Sequence, residues 1–357
     1  MSREAARAYY DQQREREERD GHPKKSEGEA HYAAGRGADS PGEIPKRGWW
    51  AILKRTYQVM GDKDLGLMCA GVAFYGFLSI FPIVAAVVLI YGLVASPQTL
   101  QSQLEVLQPG IPEAAYNIIQ ERLTALLEQP QSSKGIGLLI SLGLALWSGS
   151  RGTNALILAV GEAYHEDDDR NFVASAILSI VLTLGALVFI GVALAAIAII
   201  PPILNNFQLG PTFETVVNWL RWPVLAVFVI AAIAVLYKLA PDRDDAQMKW
   251  LTPGAAVAAV LWMVLSVAFS IYVEYFGNYS ATFGSLAGAV VMMFWIYYSV
   301  MVFVFGAALN GQMELQTQRD TTVGAHDPMG ARGAFVADNT PAAVDQGPKD
   351  DRPAHPA

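Results

Sequence analysis

Long apolar stretches separated by polar connections dominate the chain between residues 65 and 313. Each of six stretches is long enough to cross a bilayer, since a spanning helix needs about 20 mostly apolar residues to bridge roughly 30 Å of hydrocarbon. They are Leu65–Ala95, Gly135–Val160, Phe172–Ile200, Trp219–Leu239, Leu251–Phe276 and Gly284–Met313. The pattern predicts an all-α polytopic membrane protein whose residues 64–315 form a bundle of six transmembrane helices.

Two polar segments beside these stretches carry helical patterns of their own. Residues 46–63 interleave tryptophan and tyrosine with basic residues such as Lys54 and Arg55. This composition is typical of an amphipathic helix lying in the membrane interface. Residues 96–134 carry apolar positions at alternating spacings of three and four, interrupted near Pro109. We expect extracytoplasmic amphipathic helices there, which either cap the mouth of the bundle or pack against its loops.

The two ends of the chain are polar. Residues 1–45 are rich in charge, glycine and alanine, and they lack the apolar core of a secretory signal. Residues 316–357 are rich in threonine, glycine, aspartate and proline. Such segments bury too little apolar surface to fold alone, so both are predicted to be disordered tails. Docking arms are the alternative to solvated tails.

The distribution of basic residues predicts how the chain is threaded. Lysines and arginines precede the first apolar stretch, and the side of a membrane that carries such residues is the cytoplasmic one. With six spans, both termini are then cytoplasmic and residues 96–134 lie outside. The acidic connection around Asp167–Asp169 opposes this scheme only weakly, because acidic residues contribute little to orientation.

Charge and residue usage exclude several classes of partner and cofactor. The net charge is −8, whereas a nucleic-acid-binding protein needs a basic patch. The chain has one cysteine, Cys69, and five scattered histidines. Because zinc and similar ions need several ligands on one face, we predict no metal site and no cofactor.

A polar run inside the second apolar stretch supplies the strongest candidate site. It includes Ser150, Arg151 and Asn154, and a charge at bilayer depth costs about 2.5–3.5 kcal/mol on insertion scales. Counting inward from Gly135 at 1.5 Å per residue places Arg151 about 24 Å from the outer end, in the inner half of the membrane. The three residues are candidates for binding an anionic headgroup or substrate. The alternative is a structural arginine that bonds to carbonyls of a neighbouring helix or snorkels towards the inner surface of the membrane.

The first and last apolar stretches add three further candidates and one packing motif. Pro82 removes a backbone hydrogen bond from its helix and predicts a kink, which serves either as a hinge or as a static packing feature. Tyr75 and Ser79 lie on the same helix and join the candidate substrate-binding set. Gly284 and Gly288 have the spacing that lets membrane helices approach closely.

Several sequence blocks, in their order and spacing, resemble the YihY/BrkB family of bacterial inner-membrane proteins. The blocks are Ala70–Tyr75, Leu78–Pro82, Trp147–Gly152, Ala163–Tyr164, Leu236–Tyr237, Pro253–Gly254, Ala281–Leu286 and Gly306–Asn310. The resemblance extends from about Trp49 to Glu314 and implies a six-helix bundle in the bacterial inner membrane. Members of the family have been proposed to export lipids or other envelope components.

An older label of this family, ribonuclease BN, finds no support in these residues. A metal-dependent nuclease needs clustered ligands that bind divalent ions and activate water. The chain also departs from the family pattern at two positions. Ala308 stands where a glutamate is common, and Phe283 stands where tyrosine is common. A mechanism that places a proton on that glutamate carboxylate is therefore not supported in this chain.

These observations favour a transporter or exporter of an amphipathic or anionic envelope component, a lipid among the candidates. Its expected partners are membrane lipids and such a substrate, no nucleic acid is expected, and a homo-oligomer remains open. No nucleotide-binding glycine-rich loop is present, so an ion gradient, a separate partner or downhill flow would supply the energy. The alternative is a structural or assembly protein of the envelope. An intramembrane enzyme is the least favoured reading, because no paired carboxylates or Ser/His pair lie at membrane depth.

Overall fold

The computed structural model describes residues 35–94, 120, 131–206, 211–276, 285–324 and 327–341. Within these residues the chain is helical, and its only β-type pairing is an isolated antiparallel bridge between Ala246 and Thr322. The α-helices are α1 (Lys46–Met60), α2 (Lys63–Val94), α3 (Gln131–Ala163), α4 (Phe172–Asn206), α5 (Pro211–Leu239), α6 (Met248–Phe276), α7 (Ser285–Glu314) and α8 (Phe335–Asp338). A 3-10 helix at Pro41–Glu43 precedes α1. The predicted all-α class is confirmed.

The six long helices α2–α7 coincide with the six predicted apolar stretches. Among the described residues, five helices are long and apolar enough to cross a membrane: Lys63–Ile83, Phe172–Ala193, Trp222–Leu239, Met248–Glu274 and Gly288–Glu314. These segments belong to α2, α4, α5, α6 and α7, whereas α3 does not meet the same criterion. Its polar run from Ser148 to Asn154 lowers its mean hydropathy. The predicted extracytoplasmic helices at 96–134 lie almost entirely outside the described residues.

The outer surface of the bundle is apolar, as expected of helices that face lipid. On α4, Ile177, Val181 and Val188 have exposed fractions of 57%, 55% and 66%. A soluble helix would place such residues in one buried stripe, whereas a membrane helix is apolar all round. The exposed side chains of α4 therefore match a hydrocarbon environment and not water.

The core forms where small residues let helices approach closely. Helix α2 packs along α3, and α6 packs along α7. A Cβ atom added at Gly306 of α7 would lie 2.6 Å from the carbonyl oxygen of Gly254 and 2.8 Å from the Cβ of Ala258, both on α6. Only glycine fits at this crossing. In contrast, no described residue lies within 4 Å of a Cβ placed at Gly288, so the close packing predicted for the Gly284–Gly288 motif is not observed there, and Gly284 lies outside the described residues.

A buried asparagine fastens the same helix pair. The Asn310 side chain of α7 donates from Nδ2 to the Leu251 carbonyl and accepts the Gly254 N–H at Oδ1, both at 2.8 Å. These bonds satisfy backbone groups beside Pro253, which lacks an N–H of its own. The start of α6 is therefore fixed to the end of α7.

Helix α1 lies against one end of this bundle. Ile52 is fully buried with Trp250, Leu309 and Met313. Arg55 extends this contact, because its Nε donates to Gln312 Oε1 at 2.8 Å and its Nη2 donates to Gln316 Oε1 at 2.7 Å. The predicted helix at residues 46–63 is present as Lys46–Met60.

The connections at residues 164–171 and 240–247 meet at this end of the bundle, together with residues 35–45 and the described residues of 315–341. We call this end the base. Arg170 joins the two connections by donating to Asp242 Oδ1 at 3.1 Å and to the Pro241 carbonyl at 2.7 Å. Both described terminal segments also meet here, since the Thr317 hydroxyl donates to the Ala38 carbonyl at 2.7 Å.

The chain from residue 315 to 341 folds over the base, with residues 325 and 326 outside the described part. Arg332 holds it together by donating to the carbonyl oxygens of Gln318 and Ala337 at 3.0 and 2.7 Å. The sequence predicts disordered tails at residues 1–45 and from residue 316, and the described residues of both segments, 35–45 and those between 316 and 341, differ from that expectation. The polar composition of the C-terminal segment favours disorder. Hydrogen bonds from side chains to backbone carbonyls, together with contact with the bundle, hold this segment in an ordered conformation instead. Residues 1–34 and 342–357 lie outside the described residues.

Candidate functional site

The sequence-predicted site residues lie on α2 and α3, but most of them bond within the bundle. The Ser150 hydroxyl donates to the Trp147 carbonyl at 2.9 Å, within its own helix. The Ser79 hydroxyl, which is buried, donates to the Gly76 carbonyl at 2.7 Å. Each hydroxyl is therefore satisfied by its own helix backbone.

The polar run of α3 also packs on α4. Asn154 donates from Nδ2 to the Ser179 hydroxyl at 3.3 Å, and the hydroxyls of Thr153 and Thr183 lie 2.8 Å apart. Hydrogen bonds of this kind are how small polar side chains join membrane helices. Helix packing accounts for much of the polarity that marked this run in the sequence.

The opposite side of the run contacts α2 at Tyr75. A Cβ at Gly152 would lie 3.4 Å from the Tyr75 Cβ and 3.4 Å from the Gly76 nitrogen, so the glycine permits close packing there. Tyr75 is half-buried and its ring meets that of Phe74 edge-on at 5.3 Å. Tyr75 is therefore the candidate residue of α2 that lies where α2 crosses α3, next to Gly152, which follows Arg151 in the chain.

Arg151 itself is exposed, and no hydrogen bond or ion pair joins its guanidinium to another described residue. It lies twelve residues before the end of α3 at Ala163, which is about 18 Å along the helix axis at 1.5 Å per residue. Its neighbours on this outer face are apolar, with Trp147 53% and Leu144 52% exposed. A cation is therefore presented among side chains that suit lipid.

Pro82 lies inside α2, which continues as helix from Lys63 to Val94. Its side chain is half-buried. Nothing in the structure distinguishes a hinge from a static proline here, so the hinge stays a prediction.

A second polar site at the base went unnoticed in the sequence. Arg243, in the α5–α6 connection, donates to both carboxylate oxygens of Glu314 at the end of α7, at 2.9 and 3.2 Å. Their side chains are only 2% and 0% exposed. The Tyr164 ring stacks against the guanidinium at 4.2 Å, and the Thr321 hydroxyl donates to Glu314 Oε2 at 2.8 Å. We call these four residues the base cluster.

The base cluster is a closed electrostatic unit. Burial disfavours the charged guanidinium of Arg243, but the adjacent Glu314 carboxylate outweighs this effect and the pKa of Arg243 is raised. Burial raises the pKa of Tyr164 as well, so its hydroxyl stays neutral. Every donor and acceptor that faces the ion pair comes from a different connection or helix end. The cluster thus joins four parts of the chain, and this favours a structural role.

A neighbouring carboxyl holds the C-terminal segment. The Phe335 N–H donates to Glu166 Oε1 at 2.6 Å. Burial raises the pKa of Glu166 to about 7, against the opposing effects of that hydrogen bond and of Arg243. Glu166 is placed by the end of α3, where the adjacent His165 adopts a φ of 58° and the Glu166 N–H donates to the Gly161 carbonyl at 3.0 Å. This is a Schellman helix end in which histidine occupies the position usually held by glycine.

No group of three or more His, Cys, Asp or Glu side chains in the described part of the chain could hold a metal ion. The carboxylates at the base are instead engaged by Arg243, Thr321 and backbone N–H groups. The charged side chains at the base are paired within the protein, whereas the Arg151 guanidinium is exposed on the surface of α3.

Comparison with known proteins gives a consistent result. Residues 56–330 match the family model described as virulence factor BrkB. A Bacillus subtilis protein named ribonuclease-like protein YfkH is 30% identical over 247 residues, which cover 68% of this chain and 87% of that protein. A UPF0761 membrane protein of Pseudoalteromonas translucida is 24% identical over 279 residues, or 77% of this chain and 88% of the relative. No solved structure matches the chain.

Proposed function

The chain belongs to the virulence factor BrkB family, and from that premise we propose that it moves an anionic, amphipathic component of the envelope, such as a phospholipid, across the bacterial inner membrane. The family assignment and the apolar helices establish a membrane protein. The proposal that the substrate is anionic rests on Arg151 alone.

The observation that carries this proposal is an exposed arginine with no hydrogen bond or ion pair to another described residue, on a face of α3 that is otherwise apolar. A guanidinium at membrane depth is stable only when it reaches water, a headgroup or a carboxylate or phosphate partner. Its planar donors bind phosphate through two parallel hydrogen bonds, which an ammonium group cannot reproduce. Tyr75, at the neighbouring helix crossing, adds an aromatic surface for the apolar part of such a ligand.

We also propose that α3 spans the membrane together with the five apolar helices, giving six spans. Residues 35–45 contact residues 316–319 at the base, so the described N-terminal and C-terminal segments lie at the same end of the bundle. An odd number of crossings would separate them. The 33 residues of α3 also run alongside α2 and return to the base.

Cysteine labelling tests this threading and the inside location of the base. In a Cys69→Ala background, Gly42→Cys and Val323→Cys place single exposed thiols in the two terminal segments. Both should resist an impermeant thiol reagent in intact spheroplasts and react in inverted vesicles. Reaction of one position in spheroplasts and of the other in inverted vesicles would contradict six spans.

A transfer assay tests the transport proposal. The purified protein would be reconstituted into sealed vesicles that contain phosphatidylglycerol with a fluorescent headgroup, and transfer would be followed by quenching from outside. Transfer should exceed that of protein-free vesicles, and Arg151→Lys should lose most of it. Lys63→Gln, which removes an exposed cation at the start of α2, is the matched control and should retain it.

The alternative is a structural or assembly protein of the envelope that transports nothing. Absence of transfer by the folded wild-type protein, with a stable partner that co-purifies, would favour that role. We propose that the protein is not an enzyme, although the name of the Bacillus subtilis relative refers to a ribonuclease. Supporting this, the two charged side chains of the base cluster, Arg243 and Glu314, are paired with each other.

A further inference from the structure

Helix α1 presents three distinct faces along its length. Gly48, Ile52 and Thr56 recur at spacings of four, and all three are buried. Two other faces point outward. One carries Lys46, Trp50, Leu53 and Tyr57, and the other carries Arg47, Lys54 and Gln58. Residues at such spacings lie on one side of an α-helix.

The first outward face is aromatic and strongly exposed. Trp50, Leu53 and Tyr57 have exposed fractions of 75%, 43% and 79%, and no described part of the chain covers them. In water this would be an unfavourable surface on a helix that is otherwise polar. Tryptophan and tyrosine are, however, the residues that favour the headgroup region of a bilayer.

The second outward face is basic. Arg47 and Lys54 are exposed and lie two turns apart, beside the aromatic face. Helix α1 itself contains no acidic residue; in the described sequence beside it, Asp39 and Glu43 precede the helix and Asp62 and Asp64 follow it. The side chain of Glu43 is occupied, accepting the Asp39 N–H and the Ser40 hydroxyl. The basic face therefore meets no carboxylate on the helix itself.

We propose that these two faces form a docking surface for an anionic lipid leaflet. Trp50, Leu53 and Tyr57 enter the interface, while Arg47 and Lys54 bind headgroup phosphates. Two observations specify a membrane as the occupant. The charge is complementary to anionic lipid, and only Gly61 and Asp62 separate α1 from the apolar helix α2, so the surface lies where α2 leaves the bilayer.

The inner face connects this lipid contact to the rest of the base. Ile52 packs with Leu309 and Met313 of α7, and Arg55 bonds to Gln312, two residues before Glu314. Anionic lipid on the outer faces should therefore stabilise the folded base. This effect is expected whether or not the protein transports lipid through Arg151.

A double variant and a charge-matched control test the proposal. Arg47→Gln/Lys54→Gln removes both cations from α1. Lys249→Gln/Arg319→Gln removes two exposed cations elsewhere at the base, and Arg319 forms a solvent-exposed ion pair with Asp39. Melting temperatures would be measured for the full-length protein in nanodiscs of phosphatidylcholine alone and of phosphatidylcholine mixed with phosphatidylglycerol. Phosphatidylglycerol should raise the melting temperature of the wild type and of the control, and the α1 variant should lose most of that rise.

A depth measurement tests the aromatic face independently. In the Cys69→Ala background, a spin label at Leu53→Cys should be accessible to oxygen from the lipid phase, and one at Gln58→Cys should be accessible to an aqueous relaxation agent. Equal loss of the lipid effect in both double variants would overturn the proposal. So would a label at position 53 that is as water-accessible as the one at position 58.

Discussion

Two arginines in this protein occupy opposite environments. Arg243 is buried at the base and bound by Glu314 and Tyr164, whereas Arg151 is exposed on α3 with no hydrogen bond or ion pair to another described residue. Removing one partner of a buried ion pair leaves the other charge buried and uncompensated, which destabilises the fold. An exposed charge among apolar side chains adds little to packing. From this comparison we propose that the base stabilises the fold and that α3 contacts the ligand.

Breaking the ion pair at the base should have the largest effect on stability. Glu314→Gln leaves the Arg243 guanidinium buried without its counter-charge, at a cost of about 3–5 kcal/mol. We expect a large drop in melting temperature in detergent and a lower yield of monodisperse protein. Glu274→Gln, at an exposed position of α6, is the control and should melt like the wild type. If both glutamine variants melt alike, the base cluster does not stabilise the fold.

The α6–α7 crossing should show the next largest effect. Gly306→Ala places a methyl group against the Gly254 carbonyl, the Tyr237 hydroxyl and the Ala258 side chain, all of which belong to packed helices. Overpacking of this kind typically costs about 1–3 kcal/mol. Gly288→Ala adds the same methyl group on α7 in open space and should leave the melting temperature unchanged. A Gly306→Ala protein as stable as Gly288→Ala would show that the two helices are less closely packed than described.

The attachment of the C-terminal segment should depend on pH through Glu166. Its pKa is raised to about 7 in the folded base from an ordinary value of 4.5. Because folding favours the protonated form, this contribution to stability is present below pH 4.5 and is lost as pH rises through 7. Protection of the Phe335 amide from hydrogen exchange should therefore fall across this range. The Glu166→Gln variant controls for the other titrating groups, His165 among them. In this variant the fall in protection of the Phe335 amide between pH 4.5 and 7 should disappear. An unchanged profile in that variant would assign the pH dependence to another group.

The helices of this fold are predictable from sequence, because a long apolar run has few alternatives to a membrane helix. α4 begins at Phe172 as predicted, and α1 occupies most of the predicted interfacial segment. The fold of residues 315–341 is not predictable in this way. It depends on Arg332 meeting backbone carbonyls and on Phe335 meeting Glu166, which is 169 positions away in the sequence.

The candidate site was predictable only in part. A lone arginine in an apolar stretch is visible in the sequence, and the structure shows Arg151 exposed, with no hydrogen bond or ion pair to another described residue. The base cluster gives no such signal. Arg243 resembles an ordinary cytoplasmic loop cation, and Glu314 resembles the polar end of a helix. Their pairing across 71 positions arises only when the helices assemble.

The smallest stability effect and the most direct test concern the same residue. Arg151→Gln should shift the free energy of unfolding by no more than about 0.5 kcal/mol, the range of surface substitutions that break no contact. Melting temperature and phosphatidylglycerol transfer would be measured on one preparation of this variant, beside wild-type protein. The account predicts an unchanged melting temperature with most transfer lost. A stable Arg151→Gln protein that transfers lipid at the wild-type rate, or one that loses transfer only because it unfolds, would contradict it.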